Sequence, residues 1–366
     1  MTESYRPLRA LFSDRGYAFV EPPIVYAASV FVELLGEDLR RRLFLTADQD
    51  GVEMALRPDF TIPVALHHLA SGEARRKAGY AYLGPVFRQR ADEADEFLQA
   101  GVESLGRTDR DAADADQLRL ALDAVALLGV RQPMVRIGDS GLFAAVLDAL
   151  DLDAPWQRRL ARAFGDSGRL RALIARAADG GAVAVADDGS LAGARPARIR
   201  RKVGEMFAAT GLSVTGRTPD EIAARFAEKA ALAAGVGPRP AAVLAHFLDI
   251  AGPPDVAVTA LRVLARDDRL TIGKAVDRFE ARLAAFAARG IGLDRLAFAA
   301  DFGRRLDYYT GFVFEVYASK KGARPIVGGG RYDRLVSLIA KLRHETAVTV
   351  PAVGFSIWLD RIGARA

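Results

Sequence analysis

The sequence predicts an α+β fold: an antiparallel sheet core flanked by helices, with a helical insertion. Three observations carry that expectation. Strand-like pieces fill the chain up to Ile137 and return after Gly290. Between them, from Ala154 to about Gly290, alanine, arginine and leucine recur at helical spacing. Apolar residues make up 51% and charged residues 27% of the 366, a balance that provides a sizeable core and excludes a disordered or fibrous chain. The length corresponds to about two domains, so one large fold with an insertion is as reasonable as two separate units.

Each element follows from local pattern. Leu8, Leu11 and Phe12 give Pro7 to Asp14 an apolar helical face, and Gly16 stops that helix before an extended run, Tyr17 to Val20, which Pro22 and Pro23 end. Leu43 to Leu56 reads as a hairpin about Asp50-Gly51, and a helix is expected from Pro63 to Ala70. Gly79 to Arg88 and Phe97 to Leu105 read as paired antiparallel strands joined by a charged connector, QRADEADE. A helix from Asp111 to Leu128 stops at Gly129, and Val135 to Ile137 is a short strand. The helical stretch breaks at Gly180-Gly181, at DDGS (187–190), at Gly211, and around residues 235–240 and 252–254. Within it His246, beside Leu244 and Phe247, reads as a core histidine. Arg295 to Phe302, Phe312 to Tyr317, Ile326-Val327 running into three glycines, and Ala352 to Leu359 complete the strands. The expected division is a core in two parts, 1–150 and 253–366, around an insertion at 151–252.

Composition removes whole classes of function. Lys and Arg total 51 against 46 Asp and Glu, and the excess of +5 is dispersed, which argues against nucleic-acid binding. Zero cysteines exclude disulfides, thiolate metal sites, iron–sulfur clusters and cysteine nucleophiles, and point to a reducing cytoplasm. The four histidines form no H-x-x-x-H pair, so no metal site or cofactor is expected. No signal peptide is visible and no run approaches the roughly 20 apolar residues that span a bilayer, so a soluble cytoplasmic protein is expected. Neither G-x-x-x-x-G-K-[ST] nor G-x-S-x-G occurs, which removes the P-loop and α/β-hydrolase readings.

Four segments are richer in polar residues than strands and their edges require. Arg57 to Thr61 places an arginine, a carboxylate and a hydroxyl just after a strand. Arg88, Gln99 and Glu103 can project from one face of two paired strands. Arg304 to Gly311 adds charge and the aromatics Tyr308 and Tyr309, and GGGRYD (328–333) lets backbone approach a ligand closely before supplying an arginine, a phenol and a carboxylate. Such a floor suits a zwitterion. An amino group is matched by Asp59, Gln99 or Glu103, and a carboxylate by the guanidinium of Arg88 or Arg304. Ordinary sheet-edge ion pairs are the plainer alternative.

In this order the segments resemble the catalytic domain of histidyl-tRNA synthetase, a class II aminoacyl-tRNA synthetase. Motif 1 is similar to the N-terminal helix, the Gly16-Tyr17 turn and the strand closing on Pro23, and the resemblance implies a homodimer through that element. LRPDFT resembles the family's leucine-arginine-proline-glutamate-glycine-threonine signature. GPVFRQR followed by FLQAGVESLG resembles motif 2, RRLDYYTGFVFE and GGGRYDRL resemble the two histidine motifs, and VGFSIWLDRIG resembles motif 3. The matches cover roughly residues 5–140 and 291–363. The resemblance implies a histidine-binding pocket of Asp59, Thr61, Arg88, Gln99, Glu103, Arg304, Tyr308 and Tyr309. Asp59 is one methylene shorter than the family's glutamate, and Phe60 replaces its glycine.

The nucleotide half departs further. Gln89 and Arg90 replace the family's adenine-reading histidine-glutamate pair, and the loop carries Asp92, Glu93, Asp95 and Glu96, carboxylates that would repel a triphosphate. Trp358 stands where motif 3 has a glycine beneath adenine, and Asp360 replaces a glutamate, although Arg361, the family's adenine-stacking arginine, is kept. A degenerate nucleotide site at Arg90, Trp358 and Arg361 is expected, with no catalytic residues. The sequence stops at Ala366, so no anticodon-binding domain and no tRNA partner are expected.

A synthetase-like core with these features resembles the regulatory subunits of ATP phosphoribosyltransferase. That likeness implies a non-catalytic subunit in a hetero-oligomer with a short-form catalytic subunit, serving the first step of histidine biosynthesis under feedback by L-histidine. Two alternatives stay open: a truncated synthetase paralogue that activates an amino acid with ATP, and a scaffold whose pocket is vestigial.

Overall fold

The computed structural model describes residues 5–363 apart from 36, 73, 179–197, 199–200, 203–204, 206–217, 305–307, 319–323 and 347. The expected breaks at 180–181, 187–190 and 211 lie outside the described residues.

A nine-stranded sheet runs β1 (Ala18–Phe19), β5 (Ala78–Phe87), β6 (Glu96–Leu105), β12 (Ala352–Trp358), β11 (Val327–Arg331), β10 (Phe312–Tyr317), β7 (Met134–Asp139), β9 (Leu296–Ala299) and β8 (Ala251–Gly252). A second sheet holds β2 (Val25–Ala27), β4 (Glu53–Leu56) and β3 (Leu45–Ala47). The β3–β4 hairpin turns where expected. Gly51 takes φ +79° and Asp48 Oδ1 accepts from the Asp50 and Val52 N–H groups at 3.0 and 2.9 Å. The sheet core is antiparallel as expected except at two pairs, where β1 joins β5 and β7 joins β9 in parallel. In both, intervening chain returns the second strand in the same direction, which residue pattern alone does not reveal.

Strand alternation sorts this sheet into two unlike faces. One carries Val102, Phe355, Ile357, Phe312, Phe314, Ile137 and Phe298, all buried. Against it pack α1 (Arg6–Asp14), α5 (Arg110–Leu127) and α12 (Gly273–Ala287). Rings interlock there, with Phe12 edge-on to Phe355 at 6.2 Å and Phe286 at 5.2 Å from Phe312. The opposite face carries Tyr82, Gln99, Glu103, Glu315, Ser356 and Trp358. Polar residues therefore gather on one side by strand period alone.

The helices α6 (Ser140–Ala149), α7 (Ala154–Ala163), α8 (Ser167–Ala178), α9 (Pro219–Ala234), α10 (Pro238–Asp249) and α11 (Pro254–Asp267) fill the middle of the chain. His246 is exposed on α10, not a core residue: Val243, Leu244 and Phe247 face inward, and the helical phase turns position 246 to the outside. The triple glycine is strand β11 itself, so its openness serves the protein's own side chains. A Cβ on Gly328 would collide with the Arg304 guanidinium, and one on Gly329 would lie 2.6 Å from the Phe314 ring.

Under the apolar face lies a closed ionic chain. Arg331 Nε and Nη2 donate to Asp114 Oδ1 at 2.9 and 2.6 Å, and Arg282 bridges Asp114 Oδ2 at 2.8 Å and Asp139 Oδ2 at 2.5 Å. Arg331 Nη1 also donates to Asp333 at 2.9 Å. The arginine and carboxylate of GGGRYD thus serve this network, and only its phenol faces the polar side.

Candidate functional site

Glu103, 1% exposed on the interior strand β6, is the hub of the polar face. Its Oε1 accepts from Thr61 Oγ1 at 2.8 Å and from the Tyr82 hydroxyl at 3.3 Å, and its Oε2 accepts from the Tyr332 hydroxyl. Burial pushes its pKa up to about 8, aided by the Asp59 charge and opposed by these hydrogen bonds. Burial also holds the Tyr82, Tyr308 and Tyr332 phenols well above their ordinary range, so they act as neutral donors. Tyr309, packed at 5.0 Å from Tyr308, is pushed up to about 12. A Cβ on Gly354, directly across the ladder, would occupy the Glu103 carboxylate position.

Asp59 and Thr61 stand at the start of α4 (Thr61–Ala70). Asp59 is 3% exposed, and burial raises its pKa against the opposing pull of Arg88 and of the Ile62 backbone N–H. Arg88, just beyond β5, donates from Nε to the Pro58 carbonyl at 2.5 Å, tying motif 2 to the LRPDFT segment. Phe60, in the glycine's place, is sandwiched: the Arg57 guanidinium lies 4.1 Å from its ring centre, and Tyr82 stacks on it at 4.4 Å, 8° from parallel. That stack fixes the Tyr82 hydroxyl beside Glu103. Arg57 itself donates to the Pro22 and Pro85 carbonyls at 2.6 and 2.9 Å and is a structural clamp.

The floor contains polar atoms without partners. Among the described residues, Gln99, also 1% exposed, has a partner for neither its Oε1 nor its Nε2, and Asp59 Oδ1 has none either. Buried polar groups are nearly always paired, and each unpaired one costs about 1–3 kcal/mol. The Asp59 carboxylate oxygen is an acceptor and the Gln99 amide both a donor and an acceptor that a small polar ligand could satisfy.

The other end of the floor is closed from within. Trp358 is 5% exposed, with the Arg361 guanidinium 4.7 Å and the Arg304 guanidinium 5.6 Å from its ring centre. Arg361 forks onto Glu93, both contacts 2.9 Å, and Arg324 reaches the same carboxylate at 2.9 Å. Against partial burial, these guanidiniums hold Glu93 below the usual carboxylate range. Arg90 bonds Asp360 at 2.9 Å and Glu93 at 3.2 Å and covers the Phe97 ring at 3.8 Å. Glu93 and Asp360 therefore pair with the guanidiniums of Arg90, Arg324 and Arg361.

Asp59, Thr61, Gln99, Glu103 and Tyr308 lie on one face with Arg88, Arg304 and Tyr309, and Arg90, Trp358 and Arg361 adjoin them, Trp358 being paired with Gln99 and beside Arg304. Sequence reasoning missed Tyr82 and Ser356, which hydrogen-bond each other at 2.8 Å. Their alternation with Gly84 and Gly354 on the same strands was the available signal. Among the described residues no three His, Cys, Asp or Glu side chains gather to hold a metal ion, and no single helix is long and apolar enough to cross a membrane.

The histidyl-tRNA synthetase family model matches residues 1–218 and 219–362. An ATP phosphoribosyltransferase regulatory subunit of Mesorhizobium japonicum is 44% identical, the match covering 97% of this chain and 95% of that one. Its counterpart in Brucella ovis is 41% identical over 99% and 96%. Among solved structures, a Bacillus halodurans protein described as an ATP phosphoribosyltransferase regulatory subunit/histidyl-tRNA synthetase aligns with TM-score 0.64 at 22% identity, covering 98% of this chain and 77% of that one. A Nostoc histidyl-tRNA synthetase aligns with TM-score 0.63 at 18% identity, over 98% and 69%. Both share the fold.

Proposed function

The chain belongs to the histidyl-tRNA synthetase-like family of ATP phosphoribosyltransferase regulatory subunits, and from that premise we propose that it is a non-catalytic sensor of L-histidine that regulates a short-form catalytic subunit. The observation that carries the reading is the set of buried atoms on Gln99 and Asp59 without a partner among the described residues. An amino acid would complete them: its ammonium against Asp59, Thr61 and Gln99, its carboxylate against Arg88 or Arg304, and its ring among Glu103, Tyr308 and Tyr309. Adenylation is lost in this reading because Glu93 neutralises Arg361 and Arg324 and Trp358 fills the strand's edge.

Regulation then needs only that histidine bind one conformation of the assembly better than another. Such couplings are typically about 1–3 kcal/mol, or 5- to 150-fold. The subunit works in the cytoplasm, in the first step of histidine biosynthesis, with no cofactor, tRNA or membrane. Residues 151–252 form the insertion between core parts 1–150 and 253–366. Homodimerisation, placed by the resemblance at motif 1, would also bury Ile24, Val25, Leu45 and Val52, large apolar side chains left exposed after that segment on and around the small sheet.

Reconstitution with a short-form ATP phosphoribosyltransferase catalytic subunit tests this. Activity should require this chain and fall with added L-histidine. Glu103→Ala should weaken that inhibition while assembly persists. Inhibition unchanged by Glu103→Ala would favour a scaffold with a vestigial pocket, and histidine-dependent ATP consumption would favour the amino-acid-activating paralogue, for which the retained Arg88, Arg304 and Arg361 speak.

A further inference from the structure

Arg304 and Tyr309 also line a second chamber, of about 360 Å³, which none of Asp59, Thr61, Arg88, Gln99, Glu103 or Tyr308 lines. It lies between α6, α7 and the residues Gly303, Arg304, Tyr309 and Thr310. Its charge is of one sign. Arg162, Arg304 and Arg334 line it, with no carboxylate among the described lining residues. Neither Arg162 nor Arg334 is paired with a carboxylate among the described residues, and the Arg304 contact to Glu315 is at the 4.0 Å limit.

The wall opposite these cations is apolar and ordered by packing. Phe143 and Phe164 stack at 4.7 Å, 15° from parallel. The α7–α8 turn is held against the Arg304 segment by close backbone approach: a Cβ on Gly303 would lie 2.7 Å from the Phe164 ring, and one on Gly165, at φ +93°, only 3.2 Å from the Arg304 backbone. The chamber is thus formed by the fold without a ligand.

Arg162 and Arg334 bring to this concavity two positive charges with no carboxylate partner among the described residues, while the Arg304 guanidinium lies over Gly328 and reaches Glu315. Two such charges match a phosphate dianion, which accepts several charge-assisted hydrogen bonds. The volume is at the small end of the ligand-pocket range, about 300–1,000 Å³. We propose that this chamber binds a small organic phosphate: a phosphate monoester on the arginines, its flat or apolar body against Phe143 and Phe164. This site shares Arg304 and Tyr309 with the histidine floor but is otherwise lined by different residues, and the proposal does not rest on that reading.

Calorimetric titration of the full chain with phenyl phosphate, inorganic phosphate and phenol tests it. Phenyl phosphate should bind about tenfold more tightly than inorganic phosphate, and phenol should not bind. Arg162→Ala and Arg334→Ala, both at exposed positions, should each weaken phenyl phosphate about fivefold or more, one charge-assisted contact apiece, while leaving L-histidine titrations unchanged. Absence of phenyl phosphate binding, or binding indifferent to both substitutions, overturns the proposal. Inorganic phosphate binding as tightly as phenyl phosphate overturns the role of the aromatic wall. Because histidine is titrated separately, failure at the floor and failure at this chamber are read apart.

Discussion

Gly354 stands directly opposite Glu103 across β6 and β12, and its missing side chain is the space the Glu103 carboxylate occupies. Gly354→Ala therefore drives a methyl group into a buried acid and against the Val102 carbonyl, 2.5 Å away. The expected cost is about 1–3 kcal/mol, read as a lower urea midpoint at unchanged slope. Gly273→Ala, where a Cβ meets open space, should leave the midpoint nearly unmoved.

Glu103 also makes stability depend on pH in a stated direction. Its folded pKa, about 8, lies above the ordinary 4.5 because burial disfavours the anion. The folded chain keeps a proton that the unfolded chain releases, so this contribution is complete below about 4.5 and is lost as pH rises through about 8. Urea midpoints of the wild type should fall across that window, and Glu103→Gln should flatten the slope. An equal slope in the variant would contradict the assignment.

The Arg331–Asp114–Arg282 chain should behave as one unit. Arg331→Met leaves Asp114, 0% exposed, with one guanidinium fewer, at an expected cost of about 3–5 kcal/mol. Adding Asp114→Asn should cost less than the two single changes summed, because the stranded charge is gone. Strict additivity would show that the pair is not coupled.

At the closed end, Glu93→Ala frees Arg361 while Arg324 keeps Asp92 at 3.0 Å, and Trp358→Gly removes the indole beside Arg361. The double variant should bind ATP about tenfold better than the wild type in equilibrium dialysis, by loss of one like charge and gain of one cation. The indole's removal should itself destabilise the fold by about 3–5 kcal/mol. ATP affinity equal to that of the wild type would refute both the steric and the electrostatic argument.

Where strands pair with near neighbours, the sequence was readable. Asp50-Gly51 marks its hairpin, and Gly79 to Arg88 pairs with Phe97 to Leu105 in the expected antiparallel sense, because turn chemistry and alternation are local signals. The β1–β5 and β7–β9 pairs were not readable, since a parallel partner lies far along the chain and leaves no local mark. Helices α6 and α13 (Leu335–Leu342) are short apolar runs whose period is ambiguous. In the site, Glu103, Gln99 and Thr61 were visible as polar residues out of place. The fate of Arg331 and Asp333 was not, because whether a strand-end arginine faces a ligand or a buried aspartate such as Asp114 depends on which helix covers it. The carboxylates at 92 and 93 read as repulsive to a triphosphate; their pairing with Arg324 and Arg361 is a tertiary fact.

The most direct measurement is calorimetric titration of the purified chain with L-histidine, paired with histidine-dependent exchange of pyrophosphate into ATP on the same preparation. The account predicts saturable heat with one histidine bound per chain, lost in Glu103→Ala, and no exchange above background. Measurable exchange, or an absence of histidine binding at millimolar ligand, would contradict it.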